Sequence, residues 1–162
     1  MPNWCDNELT IRGKSVEELK TFTGMDRGML DFNLILPYPE EFVRLDQIAE
    51  EARNKNPKDF SIKDGYNSGG YEWCVKNWGT KWNVGKDIQI AEQIKPTELK
   101  ASFDTAWSPP LNVFLILSEK FPDCKIKIKY YEAGMGFKGI FICKSGEIIS
   151  DSVSDYKGTR GG

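Results

Sequence analysis

The sequence has no histidine among its 162 residues, and this absence excludes several chemistries. Serine–histidine–aspartate triads, cysteine–histidine pairs and histidine-ligated metals all need that side chain, which is also the best suited to proton transfer near neutral pH. An enzyme of this composition would have to use carboxylates, lysine or tyrosine. The scattered candidates for such a role are Glu72, Lys81, Asp104, Glu132 and Asp151. Because no spacing ties any two of them together, we expect a non-catalytic protein without a cofactor.

Paired cysteines and long apolar runs are missing as well. The four cysteines stand singly, without a Cys-x-x-Cys pair, which disfavours a disulfide scaffold and a zinc site and predicts buried free thiols. The densest apolar run, residues 111–117, is far shorter than the roughly 18 residues that cross a bilayer, and the N-terminus has no apolar targeting segment. We therefore expect a cytoplasmic protein that does not use a membrane.

The chain has no excess of positive charge. Lysine and arginine total 22 against 24 acidic residues, so the net charge is −2 and there is no overall attraction to nucleic acid or anionic lipid. Hydrophobic residues make up 40% and charged residues 28%, which is typical of a folded globular protein. The length fits one domain, and we predict that residues 1–162 form it.

In the first half of the chain, side-chain periodicity predicts two strands and two helices. Residues 3–13 alternate between apolar and polar side chains and predict a strand. Ser15 and Glu18 form a capping box, which predicts a short helix that Gly24 ends. Residues 30–39 predict a second strand and residues 40–54 an amphipathic helix. The polar, glycine-rich residues 55–70 then predict a loop.

The second half has a clearer pattern. Residues 97–105 alternate as a strand, and Ser108 is placed to cap a helix whose first position would be Pro109. Further strands are predicted over residues 124–132, 137–143 and 148–153, with glycine-containing turns between them.

This order of elements predicts an α+β fold of the ferredoxin-like, split βαβ type. Such a fold has an antiparallel sheet with its helices on one face. We assign the core to residues 1–36 and 96–154, with a mainly helical and loop insertion at residues 37–95 and an added C-terminal β-hairpin.

Five tryptophans pose the main functional question. Burying one indole is worth roughly 4 to 6 kcal/mol gross, at about 25 cal/mol per Å² over 150–250 Å². We expect Trp73, Trp78 and Trp82 to fold the insertion over the open face of the sheet, near Trp4 and Trp107. The alternative is an aromatic recognition surface, and both interpretations can hold in part, because an indole can pack its ring while its N–H faces a partner.

Four motifs carry a family resemblance. They are PNWCDNELTIRG at the N-terminus, NWGTKWNV at residues 77–84, DTAWSPP at residues 104–110 and EAGMGFKG at residues 132–139. With these motifs the chain resembles the YubB ferredoxin-like family, of the Api type, whose members are uncharacterised phage, plasmid and genomic-island proteins. The resemblance covers nearly the whole chain. It implies a ferredoxin-like α+β fold and an origin on mobile genetic elements, and it implies no activity.

The favoured function is a binding module that uses a tryptophan-rich patch on a mobile-element protein. Its expected binding residues are Trp78, Lys81, Trp82 and Trp107. Aromatic anchors inside a polar rim concentrate the binding energy of compact interfaces, so the expected partner is another protein, with a host factor as one candidate. Nothing in the sequence determines the oligomeric state.

The alternative is binding of single-stranded nucleic acid. The strand at residues 124–132 places Lys125, Lys127 and Lys129 in one basic row, and Trp4 is the aromatic residue on the polar side of the first strand. Acidic residues of a neighbouring strand, Asp6 and Glu8, could neutralise that row as cross-strand ion pairs.

Overall fold

The computed structural model describes residues 2–91 and 95–158, and its strands form one antiparallel sheet. The order across the sheet is β2-β3-β1-β4-β5-β6, in which the first four strands make the ferredoxin-like arrangement and β5 and β6 extend it as a hairpin. The strands are β1 (Trp4–Arg12), β2 (Ile88–Ile90), β3 (Glu98–Ala106), β4 (Lys125–Glu132), β5 (Phe137–Lys144) and β6 (Glu147–Asp155). The predicted fold class is confirmed.

The helices occupy the two connections that cross the sheet. Four lie in the long connection between β1 and β2, and the fifth lies between β3 and β4. They are α1 (Glu17–Thr23), α2 (Phe32–Ile35), α3 (Glu40–Lys55), α4 (Gly70–Asn77) and α5 (Leu111–Lys120). In the described ranges, none of these helices has the length and apolar character to span a bilayer.

Alternation along the central strands gives the sheet two different faces. The inner face, which packs against the helices, carries buried side chains such as Leu9, Phe103 and Ile128. The outer face carries polar and charged side chains, including Asp6 and Glu8 of β1. The central strands therefore bury one face only, as period-two patterns in antiparallel sheets usually do.

Aromatic rings connect the long β1–β2 connection to the inner face. Phe32 lies 5.8 Å from Trp78 and 6.3 Å from Phe114 of α5, and Phe114 stacks on Phe103 of β3 at 6.1 Å, measured between ring centroids. Trp78 therefore joins the C-terminal end of α4 to the core of the sheet.

The expectation that the tryptophans of residues 37–95 cover the open, outer face was wrong for Trp73 and Trp78, which pack on the helix side. Trp82 does pack against Trp4, as expected.

The predicted strand at residues 30–39 is also wrong. Leu30 makes a single bridge to Gly85, and the chain then turns into α2, where the Asp31 carboxylate accepts a hydrogen bond from the Asn33 amide at 2.9 Å. The side chains of Phe32 and Ile35, three residues apart, are both buried on the same side of this turn. The strand beside β3 is instead β2, so the predicted insertion range includes one strand of the sheet.

Two predicted helix caps differ from those observed. Helix α1 begins at Glu17 with Val16 as its N-cap residue, and Ser15 is not the cap. Helix α5 begins at Leu111 after Pro110, and the Ser108 hydroxyl donates a hydrogen bond to the Gly79 carbonyl at 2.6 Å instead. A tertiary contact therefore takes Ser108 from the cap position, whereas the Ser15 hydroxyl stays local and accepts a hydrogen bond from the Glu17 amide at 3.4 Å.

Glu132 is a carboxylate buried at the end of β4. Its Oε1 accepts a hydrogen bond from the Gly134 amide at 2.6 Å, and its Oε2 accepts one from the Met135 amide at 2.7 Å. The side chain, only 1% exposed, thus holds the β4–β5 turn, because both oxygens bind amides of that turn. This structural role accounts for a residue that the sequence offered as a catalytic candidate.

Replacing Glu132 by glutamine should lower the free energy of unfolding by about 1–3 kcal/mol, because the side-chain amide nitrogen would face a backbone N–H in place of an acceptor. Urea denaturation measures the change. The matched control is Glu147→Gln, an exposed position in β6, which should stay within about 0.5 kcal/mol of the parent. Equal denaturation midpoints for the two variants would contradict this role.

Candidate functional site

The five tryptophans do not share one environment. Trp78 is 3% exposed, its indole N–H donates a hydrogen bond to the Leu36 carbonyl at 2.9 Å, and its ring packs edge-on against Trp73 at 5.3 Å. Tyr38 packs against both of these rings. Trp78 was predicted as a binding residue, and its burial excludes it from a surface contact.

The loop after α4 carries Lys81 and Trp82 to the end of β3. Gly79 turns the chain with φ +88°, a conformation that glycine adopts without steric cost. Thr80 is buried, and its hydroxyl donates a hydrogen bond to the Ala106 carbonyl at 2.9 Å. Because Thr80 is fixed to the last residue of β3, the side chain of Lys81 lies beside Trp107, and that of Trp82 follows on the other side of Lys81.

Trp107 has a left-handed backbone, with φ +74°, which is rare for a bulky residue. Contacts on both sides hold it there. The Trp107 amide donates a hydrogen bond to the Asn3 carbonyl at 2.9 Å. The Thr105 hydroxyl donates one to the carbonyl of the next residue, Ser108, at 2.7 Å. The indole is 42% exposed. Backbone strain that presents a large ring to solvent is typical of functional positions.

Lys81 lies between two indoles. Its Nζ is 4.0 Å from the centroid of the Trp107 ring and 5.0 Å from the centroid of the Trp82 ring. Each distance is inside the range of a cation–π interaction, which is worth about 0.5–1 kcal/mol at an exposed site. Three of the four predicted binding residues are therefore brought together.

Three further rings continue the row in both directions. Tyr71 packs edge-on against Trp107 at 5.9 Å and against Tyr66 at the same distance, and Trp4 packs edge-on against Trp82 at 6.1 Å. We call this row the aromatic strip; its members are Tyr66, Tyr71, Trp107, Lys81, Trp82 and Trp4. It runs from the loop before α4 to the first residue of β1.

The strip borders two shallow pockets. One, of about 300 Å³, lies between Tyr66, Tyr71 and Trp107, with Glu72 at its edge. The other, of about 630 Å³, lies between Trp4, Trp82 and the residues that lead into β2.

Burial raises the pKa of Tyr66 to about 12, with smaller contributions from Cys74, Tyr71 and Glu72, so its hydroxyl stays protonated at neutral pH. That hydroxyl donates a hydrogen bond to the Lys81 carbonyl at 3.4 Å.

Sequence reasoning missed both tyrosines of the strip. Their signal was weak, because Tyr66 lies in a polar stretch predicted as a loop and Tyr71 is the second residue of the short helix α4. Trp4, predicted for the nucleic-acid alternative, belongs to the strip instead, because it packs against Trp82.

The predicted basic row does lie on the outer face. Lys125, Lys127 and Lys129 are all exposed on β4. Lys129 Nζ is 4.0 Å from a carboxylate oxygen of Glu8, as expected, but Asp6 lies opposite Tyr131 and not opposite a lysine. The positions of Asp6 and Glu8 on β1 separate Trp4 from the lysines, so these four predicted residues do not form one continuous basic surface.

The remaining chemical candidates are far apart in the sheet. Asp104 lies on the outer face of β3, Asp151 lies on β6, and strands β1, β4 and β5 separate them.

All four cysteines are buried and free. Burial raises the pKa of the Cys5 thiol to about 12 and that of the Cys74 thiol to about 11, with smaller contributions from nearby acidic groups.

Comparisons with known proteins agree with the fold. A family model described as a ferredoxin-like domain in Api92-like protein matches residues 77–160, more than half of the chain. The crystal structure of a protein api92 from Yersinia pseudotuberculosis superposes with a TM-score of 0.61 and 12% sequence identity, over 98% of this chain and 99% of that one. At this identity the likeness shows the fold alone. No curated protein matches the chain.

The thiols should be inert in the native protein. At pH 8 a thiol with a raised pKa holds almost no thiolate, the form that reacts. We therefore expect an aromatic disulfide reagent to modify fewer than one thiol per chain within an hour, and all four after unfolding in urea. Rapid native modification of Cys5 or Cys74 would contradict the burial of that residue, and mass spectrometry would identify the site.

Trp107 offers a test of backbone strain. Glycine tolerates φ +74° and alanine does not, so Trp107→Gly should be more stable than Trp107→Ala by about 1 kcal/mol. Urea denaturation of both variants measures the difference. The matched pair is Lys100→Gly and Lys100→Ala, at an exposed position of β3, where the alanine variant should be the more stable. If the alanine variant were the more stable one at position 107 as well as at position 100, the backbone of Trp107 would carry no strain.

Proposed function

This chain belongs to the Api92-like proteins with a ferredoxin-like domain, and for it we propose a non-catalytic role as a protein-binding module whose contact surface is the aromatic strip. An origin on a mobile element and action in the cytoplasm, both expected from the sequence, are part of the proposal. The fold alone favours no function, because ferredoxin-like domains serve many. The proposal therefore depends on the strip.

The observation that carries the proposal is the placement of Lys81 between the exposed ring of Trp107 and the ring of Trp82. The chain holds this arrangement at the expense of a left-handed backbone at Trp107. Trp73 and Trp78 already supply core packing, so packing does not account for a strained and partly exposed indole. A requirement to present that ring to a partner does.

The composition of the strip suits a protein partner. Tryptophan and tyrosine are enriched among the residues that dominate binding energy at protein interfaces, and they act when water is excluded around them. The two pockets beside the strip could receive side chains of the partner. Lys81 could pair with a partner carboxylate while its stem keeps contact with the rings.

The nucleic-acid alternative has less support. A row of three lysines on β4 favours it, but one lysine is already paired with Glu8. Asp6 and Asp104 lie opposite each other on the same face, which places carboxylates where a phosphate chain would cross. Catalysis has less support again, because both oxygens of Glu132 hold a turn.

The test is loss of a specific partner when the strip is changed. Proteins isolated from a lysate of the source organism on the immobilised chain would be identified, purified and titrated by calorimetry. We expect Trp107→Gly and Trp82→Ala each to weaken binding by about 30-fold, equivalent to about 2 kcal/mol. The control variant Lys127→Ser, on the outer face, should bind as the parent does.

Two outcomes would overturn the proposal. One is a partner bound equally well by the parent and by both strip variants. The other is tight binding of a labelled single-stranded oligonucleotide that falls steeply between 50 and 500 mM salt and is lost in Lys127→Ser, which would establish the alternative.

A further inference from the structure

The sheet ends on one side in a long, exposed strand. β6 is the last strand of the order and pairs with β5 only along its inward edge. Its nine residues, Glu147–Asp155, are all exposed. The outward edge of such a strand carries backbone N–H and C=O groups that can pair with another extended chain.

The exposed residues of β6 include three aliphatic side chains. Ile148 is 53% exposed, Ile149 55% and Val153 65%. Short length, lysine and proline often protect edge strands against pairing, and β6 has none of these three features. The protective features it does have are a bulge and two carboxylates, Asp151 and Asp155. One bulge lies at Ile149, between the pairs Cys143–Ile148 and Ile142–Ser150, and after it residues 150–155 pair regularly.

The register places the acidic residues of β6 around a valine. Asp151, Val153 and Asp155 lie opposite Phe141, Gly139 and Phe137 of β5, so all three are on the inner side of the sheet. The residues between them, Ser152 and Ser154, are on the outer side. Within residues 2–91 and 95–158, neither aspartate has a lysine or arginine nitrogen within 4.0 Å.

These charges argue against a second copy of the chain as the occupant. If two β6 strands pair antiparallel around Val153, each Asp151 lies directly opposite an Asp155 of the copy. If they pair around Ser152, the two Asp151 side chains are diagonal neighbours. Like charges at either position destabilise a pair of strands.

We propose that β6 binds an extended, basic segment of a partner protein as a seventh strand. The segment has lysine or arginine at two positions four residues apart and an aliphatic residue midway, so that its cations lie opposite Asp151 and Asp155 and its aliphatic side chain lies on Val153. When a peptide adds to a sheet edge as a strand, hydrogen bonds between the two backbones supply affinity, and the alternating side chains of the peptide supply specificity. This surface is separate from the aromatic strip, because β4 and β5 lie between β6 and β1.

The test uses two capped synthetic peptides, Thr-Lys-Thr-Val-Thr-Lys-Thr and its counterpart with glutamate in place of lysine. At 50 mM salt, the lysine peptide should bind the full chain at least tenfold more tightly than the glutamate peptide. The preference should shrink at 500 mM salt, because exposed charges are then screened. Binding should slow amide hydrogen exchange and shift backbone resonances within residues 147–155.

Charge reversal is the decisive variant. Asp151→Lys combined with Asp155→Lys should bind the glutamate peptide in preference to the lysine peptide. The control, Glu50→Lys combined with Glu51→Lys on the exposed side of α3, changes the net charge by the same amount and should keep the original preference. The strip variant Trp107→Gly should also bind the lysine peptide normally, so failure of the strip proposal would be distinguishable from failure of this one.

Three results would overturn the proposal. The first is no binding of the lysine peptide at 1 mM. The second is binding whose resonance shifts map outside β6, for example to Asp6 and Asp104 on the outer face. The third is a dimer of the unmodified chain in which β6 amides are protected, since this would assign the edge to a second copy.

Discussion

The burial of Trp78 is the contact on which the rest of the structure depends. Its indole N–H binds the Leu36 carbonyl, its ring contacts Phe32 and Trp73, and its carbonyl accepts a hydrogen bond from Val113 of α5 at 3.4 Å. One residue thus ties the turn at α2, the end of α4 and the start of α5 together. Because the loop after α4 leaves directly from this anchored residue, the positions of Lys81 and Trp82 follow from it.

The tryptophans divide into two groups for a geometric reason. Trp73 and Trp78 belong to α4 and its C-terminal end, which face the aromatic core. Trp82, Trp107 and Trp4 lie where the loop meets the ends of β3 and β1, and there each ring has a partner on one side and solvent on the other. A core ring gains stability from complete burial, whereas the rings at the strand ends keep surface available for binding.

The two sides of the sheet differ in how they meet water and other chains. On the β2 side, the neighbouring loop brings the aromatic strip to the strand ends. On the β6 side, the sheet ends in an open edge with Asp151 and Asp155 on its inner side. Between them, the outer face carries carboxylates on β1 and lysines on β4, which partly neutralise each other. The two regions proposed to bind partners are therefore separated on the protein and differ in chemistry.

The sequence by itself determined the parts that depend on neighbouring residues: the alternating strands β1, β3, β4 and β5, the amphipathic helix α3, and the burial of all four lone cysteines. By residue type it also selected Lys81, Trp82 and Trp107 as candidates, and the structure brings these three side chains together. Only the tertiary structure decided that residues 32–35 turn as a helix and that β2 completes the sheet. It also decided that Trp78 is core while Trp4, Tyr66 and Tyr71 join the strip. The reason is physical: periodicity reports which face of an element is apolar, but long-range contacts choose which element that face meets.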